Sequence, residues 1–121
     1  MAWNFTADKP IYAQIVEIIK QDIFRGHYKA GDRLPSVRDL ASEAAVNPNT
    51  MQRAFAQLEQ EGLIETQRNM GRTVTADQSI LDSCREAMAE ALTLDYLNKI
   101  KQMGSSIEDA ARLIEKLKKE I

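Results

Sequence analysis

The sequence predicts a mainly α fold with one small β-hairpin, and three observations support this prediction. Apolar residues recur at intervals of three and four over most of the 121 residues, the spacing that places them on one face of a helix. Strand-like segments are confined to two short runs, at residues 63–66 and 73–75. Serine, asparagine and proline precede the helical segments, where they favour helix starts. We therefore expect five helices and a two-stranded hairpin.

The composition excludes several classes of protein. With 44% hydrophobic and 28% charged residues, the chain is typical of a soluble globular protein. No apolar run approaches the roughly 18 residues of a membrane span, and the first residues lack the cationic start and apolar stretch of a signal peptide. We expect a cytoplasmic protein with no membrane partner.

Metal, disulfide and enzymatic chemistry have little support in the sequence. Cys84 is the single cysteine and His27 the single histidine, too few for an internal disulfide or for the roughly four ligands of a structural zinc site. No Ser/His/Asp set, catalytic Cys/His pair or phosphate-binding loop is evident. We expect no metal, no cofactor and no enzymatic activity.

The first helix is predicted over residues 10–25, where Pro10 opens the segment and Gly26 stops it. Its apolar face is expected to consist of Ile11, Ile15, Ile18, Ile19 and Ile23. Residues 26–35 contain two glycines and a proline, which break helical continuation, so a structured loop with a short strand at 33–34 should follow.

Two capped helices are expected next, separated by a tight turn. The hydroxyl of Ser36 can cap a second helix that runs to about residue 44. Asn47 followed by Pro48 favours a third helix over 48–61, because proline's missing N–H would be unpaired at a helix start in any case. Gly62 is placed to close it in a left-handed conformation. Its expected buried residues are Met51, Ala54, Phe55 and Leu58.

The hairpin and the C-terminal helices complete the chain. Residues 67–72 join the two strands, which should lie against the helices because a two-stranded hairpin is marginal alone. Steps of three and four then continue from 78 to 103, and after Gly104 a second amphipathic helix follows from 107. We assign residues 1–75 to one domain and 76–121 to a two-helix tail.

This order of elements is that of a winged helix-turn-helix, in which the second helix of the pair enters the DNA major groove and the hairpin touches the backbone or minor groove. The start of the third helix offers amide, hydroxyl and guanidinium groups, which read base edges and bind phosphates. These side chains are Asn47, Asn49, Thr50, Gln52 and Arg53. We therefore expect double-stranded DNA as the partner.

Four segments also resemble the DNA-binding domain of GntR-family transcription regulators. Residues 10–15, 31–41, 47–54 and 61–64 read PIYAQI, GDRLPSVRDLA, NPNTMQRA and EGLI. The resemblance covers about residues 9–75, and the short tail, with Trp3 and Phe5 in the leader, resembles the YtrA subfamily. It implies a repressor that occupies an operator, with control of a transporter operon as the expectation for YtrA-like members.

The resemblance also implies roles for single residues. Arg38 matches the family's DNA-contacting arginine early in the second helix, and Asn49, Thr50 and Gln52 match its recognition-helix contacts, with Arg53 beside them. Gly71 matches the glycine at the tip of the hairpin. Residues 71–75 depart from the pattern because they lack its second glycine and its aromatic residue, although Arg68 and Arg72 keep the tip cationic.

Charge and the tail together predict a homodimer. The chain has a net charge of −2, so it has no overall attraction for nucleic acid. The apolar tail residues exceed what a single chain of this size can cover, which favours a partner subunit. The expected dimer residues are Leu81, Met88, Leu92, Tyr96, Ile100, Ile107, Ile114 and Leu117. A winged helix used only for protein–protein assembly remains the alternative, and the sequence identifies no small-molecule effector.

Overall fold

The computed structural model describes residues 3–121, and the first three helices meet around one core. Helix α1 spans Ile11–Phe24, α2 spans Val37–Ala44 and α3 spans Pro48–Gln60. Each boundary lies within one residue of the sequence prediction. Ile15, Ile19, Met51, Phe55 and Leu58 are fully buried, so α1 and α3 supply most of the large side chains of this core.

Local capping explains where α2 and α3 begin. The hydroxyl of Ser36 accepts a hydrogen bond from the N–H of Asp39 at 3.0 Å, and the side-chain oxygen of Asn47 accepts one from the N–H of Asn49 at 2.8 Å. Both bonds satisfy N–H groups that have no partner within the helix. The turn between the helices passes through Ala45, whose φ of 56° lies in the left-handed region that alanine rarely adopts.

The hairpin consists of β1, Ile64–Gln67, and β2, Gly71–Val74, and we refer to residues 64–74 as the wing. The strands are antiparallel, with Ile64 opposite Val74 and Gln67 opposite Gly71. Both strands therefore extend closer to the turn than the sequence predicted. The expected short strand at 33–34 is found as a bridge between Arg33 and Thr73, and the N–H of Leu34 donates to the Arg72 carbonyl at 2.9 Å.

Two further helices follow the wing. Helix α4 spans Gln78–Gln102 and α5 spans Ile107–Leu117, with a short 3₁₀ turn after it. Ser106 and Asp109 form a reciprocal capping box at the start of α5, and these hydrogen bonds lower the pKa of the Asp109 carboxyl. Within residues 3–121, no helix is long and apolar enough to cross a membrane.

The chain divides into two compact units, the first ending at Cys84 and the second covering residues 85–121. The first two turns of α4 thus belong to the first unit, where Leu81 joins the core and Cys84 packs against it. Trp3 and Phe5 also pack against this core. The predicted division at residue 75 follows the end of the wing, whereas the compact unit extends into α4.

Candidate nucleic-acid interface

Helix α3 has one buried and one exposed face. Residues 51, 54, 55 and 58 are fully buried, at the spacing that puts them on one side of a helix. On the other side, Asn49, Gln52 and Arg53 are exposed, and Thr50 is half-buried at the edge between the faces. Because one face of α3 is held in the core, the amide, hydroxyl and guanidinium groups on the opposite face point toward solvent.

Asn47 lies just before this exposed face and has a structural role. Its side-chain carbonyl oxygen caps α3, so the NH₂ group of the same amide is the donor that remains for a ligand. Pro48 at the first helical position contributes no N–H. The start of α3 is thus fixed by its own residues before any ligand binds.

Tyr12 of α1 borders this surface, although the sequence predicted no DNA-binding role for it. The guanidinium carbon of Arg53 lies 3.8 Å from the centroid of the Tyr12 ring, within the range of a cation–π contact. A shallow cleft beside this pair is lined by Pro10, Ile11, Tyr12, Asn49, Thr50 and Arg53. The N-terminus of α1 therefore borders the exposed start of α3.

Arg38 lies at the second position of α2 and is exposed, as are Lys29 and Arg33 in the preceding loop. Within residues 3–121, Arg33 and Arg38 take part in no ion pair. Some other basic residues of the first unit are paired internally, such as Lys20, which lies 2.6 Å from Glu61. The loop and the start of α2 thus carry one more positive than negative charge, since Asp32 and Asp39 lie among these cations.

The two arginines of the wing that were predicted to contact DNA lie in different environments. Arg68 is exposed in the turn, and Gly71, which begins β2 directly after the turn, has a φ of +71° that allows the reversal. Arg72 is half-buried, and its Nε donates to the Oε1 atom of Glu59 at 2.7 Å. The two residues predicted at the cationic tip are therefore not equivalent: Arg68 faces solvent, and Arg72 faces α3.

The predicted dimer residues differ in their exposure to solvent. Leu81 is 7% exposed in the core of the first unit, so it is not available to a partner, because the first turns of α4 cover that core. Met88 and Ile100 are half-buried. The remaining predicted residues are exposed, namely Leu92, Tyr96, Ile107, Ile114 and Leu117. Leu94 and Leu113 are exposed as well and lie outside the predicted apolar series of the tail, and Met103, the last residue of the series predicted for α4, is also exposed.

The comparisons with known proteins agree with this geometry. Residues 11–74 match the model of the bacterial regulatory proteins of the gntR family. The HTH-type transcriptional repressor YtrA of Bacillus subtilis is 35% identical over 108 residues, covering 89% of this chain and 78% of that protein.

Two solved structures extend the comparison. A GntR family transcriptional regulator from Listeria monocytogenes superimposes with a TM-score of 0.86 at 38% identity, covering 93% of this chain and 98% of that chain. The structure of AraR(DBD) in complex with operator ORX1 gives a TM-score of 0.56 at 25% identity over 60% of this chain and 93% of that chain. The chain is therefore a YtrA-like member of the GntR family, a DNA-binding transcriptional regulator with a winged helix-turn-helix.

Proposed function

We propose that this chain is a homodimeric repressor that binds a two-fold symmetric operator through the exposed start of α3. The observation that carries the proposal is the arrangement of Asn49, Thr50, Gln52 and Arg53 opposite a fully buried helix face. A helix held in this way can enter the major groove as a rigid unit, with its polar side chains toward the base edges.

The chemistry of these side chains supports base reading. An amide can bond an adenine in two places, an arginine can do the same with a guanine, and a threonine methyl fits against a thymine methyl. We assign base reading to Asn49, Thr50, Gln52 and Arg53, with the NH₂ group of Asn47 as a further donor. The stacking of Arg53 on Tyr12 supports this assignment because it reduces the freedom that the guanidinium would lose on binding.

Phosphate contacts are assigned to exposed cations outside α3. Arg38 at the start of α2 and Arg68 in the wing turn are exposed, and the main chain at Gly71 lies close to that turn. Contacts of this kind orient the protein on the duplex and carry no sequence information by themselves. We leave Arg72 out of this set because its guanidinium is engaged by Glu59.

Dimerisation is supported by the apolar surface of the second unit. Leu92 and Ile114 are 60% and 55% exposed, and Leu94, Met103, Leu113 and Leu117 are exposed with them. A monomeric protein rarely leaves so many large apolar side chains in water. A second copy would cover them and would place two recognition helices on two half-sites.

Repression is proposed from a relative, and the target genes from the family resemblance alone. The Bacillus subtilis relative is named a transcriptional repressor. Control of a transporter operon is what the resemblance to the YtrA subfamily implies. Such a regulator would act in the cytoplasm, where operator DNA lies. Selection of bound fragments from random duplex DNA tests the proposal: it should enrich one sequence with two related halves. Failure to enrich any sequence, with protein that is folded, would instead favour a module for protein–protein assembly.

A further inference from the structure

Glu59 connects the wing to the recognition helix. One of its carboxylate oxygens, Oε1, accepts hydrogen bonds from Arg72 Nε at 2.7 Å and from the hydroxyl of Thr66 at 3.1 Å. Thr66 and Arg72 stand opposite each other on β1 and β2. A single side chain of α3 therefore holds both strands of the wing at the same level.

The surroundings of this contact make it more than an exposed ion pair. The side chains of Arg72 and Glu59 are 25% and 34% exposed, so solvent screens them less than a fully exposed pair. The guanidinium carbon of Arg72 also lies 5.3 Å from the centroid of the Phe55 ring, one helical turn before Glu59. The main-chain carbonyl of Arg72 accepts from Leu34, which fixes the strand from its other side.

The position of the contact along the wing gives it a functional meaning. The base of the wing is anchored by the buried residues Leu63, Ile64 and Val74. Toward the turn Thr66 and Gln67 are exposed, and Glu59 of α3 accepts hydrogen bonds there from Thr66 and Arg72. The angle between the wing turn and α3 therefore depends on Glu59. Because Arg68 lies in that turn, its position depends on the same contact.

We propose that Glu59 is a positioning residue for DNA binding: it holds the distal wing against α3, and Arg72 serves this contact instead of binding phosphate. The proposal rests on the proposed function, because it takes the wing turn to contact DNA through Arg68.

The sign of the effect separates this role from a simple charge effect. Removing a carboxylate from a DNA-binding surface should tighten binding, because one repulsion of phosphate is lost. Removing a residue that positions the wing should weaken binding, because the wing must then be ordered when DNA binds. Glu59→Ala removes the contact, and Glu59→Gln keeps an oxygen acceptor without the charge. Glu65→Gln is the matched control, because it removes the same charge from the wing without touching the contact with α3. The Glu65 carboxylate accepts its hydrogen bonds from Thr75 and Gln67.

The experiment measures affinity for the selected duplex and for random duplex DNA, with circular dichroism to show that each variant is folded. We expect Glu59→Ala to weaken both affinities about tenfold and Glu59→Gln to weaken them less, whereas Glu65→Gln should leave them unchanged or tighter. Arg68→Ala should also cost less affinity in the Glu59→Ala background than in the wild-type protein, a coupling that a loss of stability alone would not produce.

Three results would overturn the proposal. One is a Glu59→Ala protein that binds as well as the wild type or more tightly, which would mean that Glu59 acts only through its charge or not at all. Another is an Arg68→Ala substitution that lowers the affinity by the same factor in the Glu59→Ala background as in the wild-type protein. If Arg68→Ala has no effect even in the wild-type protein, it is the proposed wing contact with DNA that is wrong, and the positioning role falls with it.

Discussion

The guanidinium of Arg53 lies over the ring of Tyr12, with 3.8 Å between the guanidinium carbon and the ring centroid. The contact joins the first turn of α1 to the second turn of α3, across 41 positions of sequence. It places an aromatic residue of α1 at the border of the surface that we assign to base reading. Helix α1 thus contributes to the border of this surface as well as to the core.

The first prediction concerns this pair. Tyr12→Leu should weaken operator binding by about two- to fivefold, since a cation–π contact at an exposed site contributes roughly 0.5–1 kcal/mol. Tyr12→Phe should bind as the wild type does, because the ring that carries the contact remains. Titration of the selected duplex measures both. A loss in Tyr12→Phe equal to that in Tyr12→Leu would show that the hydroxyl, and not the ring, acts at the interface.

The second prediction concerns the wing turn. Arg68→Ala should lower affinity for every duplex and reduce the slope of log affinity against log salt concentration by about one unit, as expected for the loss of one phosphate contact. Lys116→Ala, which removes the same charge from α5, is the control and should leave the slope unchanged. An unaltered slope in Arg68→Ala would exclude a backbone contact by this residue.

The third prediction concerns the dimer. Leu92→Glu should give a monomer, because placing a carboxylate in an apolar interface costs roughly several kcal/mol unless the interface opens. Operator binding should be lost with dimerisation, while the helical content stays the same. Asn98→Asp adds a carboxylate to α4 without removing a large apolar side chain, and it should remain dimeric. Sedimentation decides the point: a dimeric Leu92→Glu protein would place the interface elsewhere.

The fourth prediction concerns the turn between α2 and α3. Ala45→Gly should stabilise the protein by about 0.5–1 kcal/mol, because glycine relieves the strain of alanine at a φ of 56° at some cost in unfolded-chain entropy. Ala56→Gly, at an exposed position inside α3, should instead destabilise it by about 1 kcal/mol. Urea unfolding of the two variants measures both changes, and a loss of stability in Ala45→Gly would show that the turn is not strained.

The elements that the sequence predicted well are those determined locally. The helix starts at Ser36, Asn47 and Ser106 follow from hydroxyl and amide caps a few residues from the N–H groups that they satisfy. The polar start of α3 follows from the same periodicity that predicts its buried face. Exposure of Asn49, Gln52 and Arg53 could therefore be anticipated without knowledge of the fold.

Contacts between distant parts of the chain could not be predicted in this way. The pairing of Arg72 with Glu59 depends on how the wing lies against α3, and a cationic wing tip was the simpler interpretation of the sequence. Leu81 was assigned to a dimer because its spacing continues into the apolar series of α4, and no change of composition marks where the core of the first unit ends. Leu94 lies outside that series, so its exposure was missed as well.

The most direct test of the central claim compares specific and non-specific binding in variants of the α3 surface. Thr50→Ala and Gln52→Ala should each weaken binding to the selected duplex by about 1–3 kcal/mol, with little change on random duplex DNA, because each removes contacts to base edges and leaves the phosphate contacts in place. Gln60→Ala, exposed at the far end of the same helix, should behave as the wild type. Equal losses on selected and random DNA, or no loss on either, would contradict base reading by the start of α3.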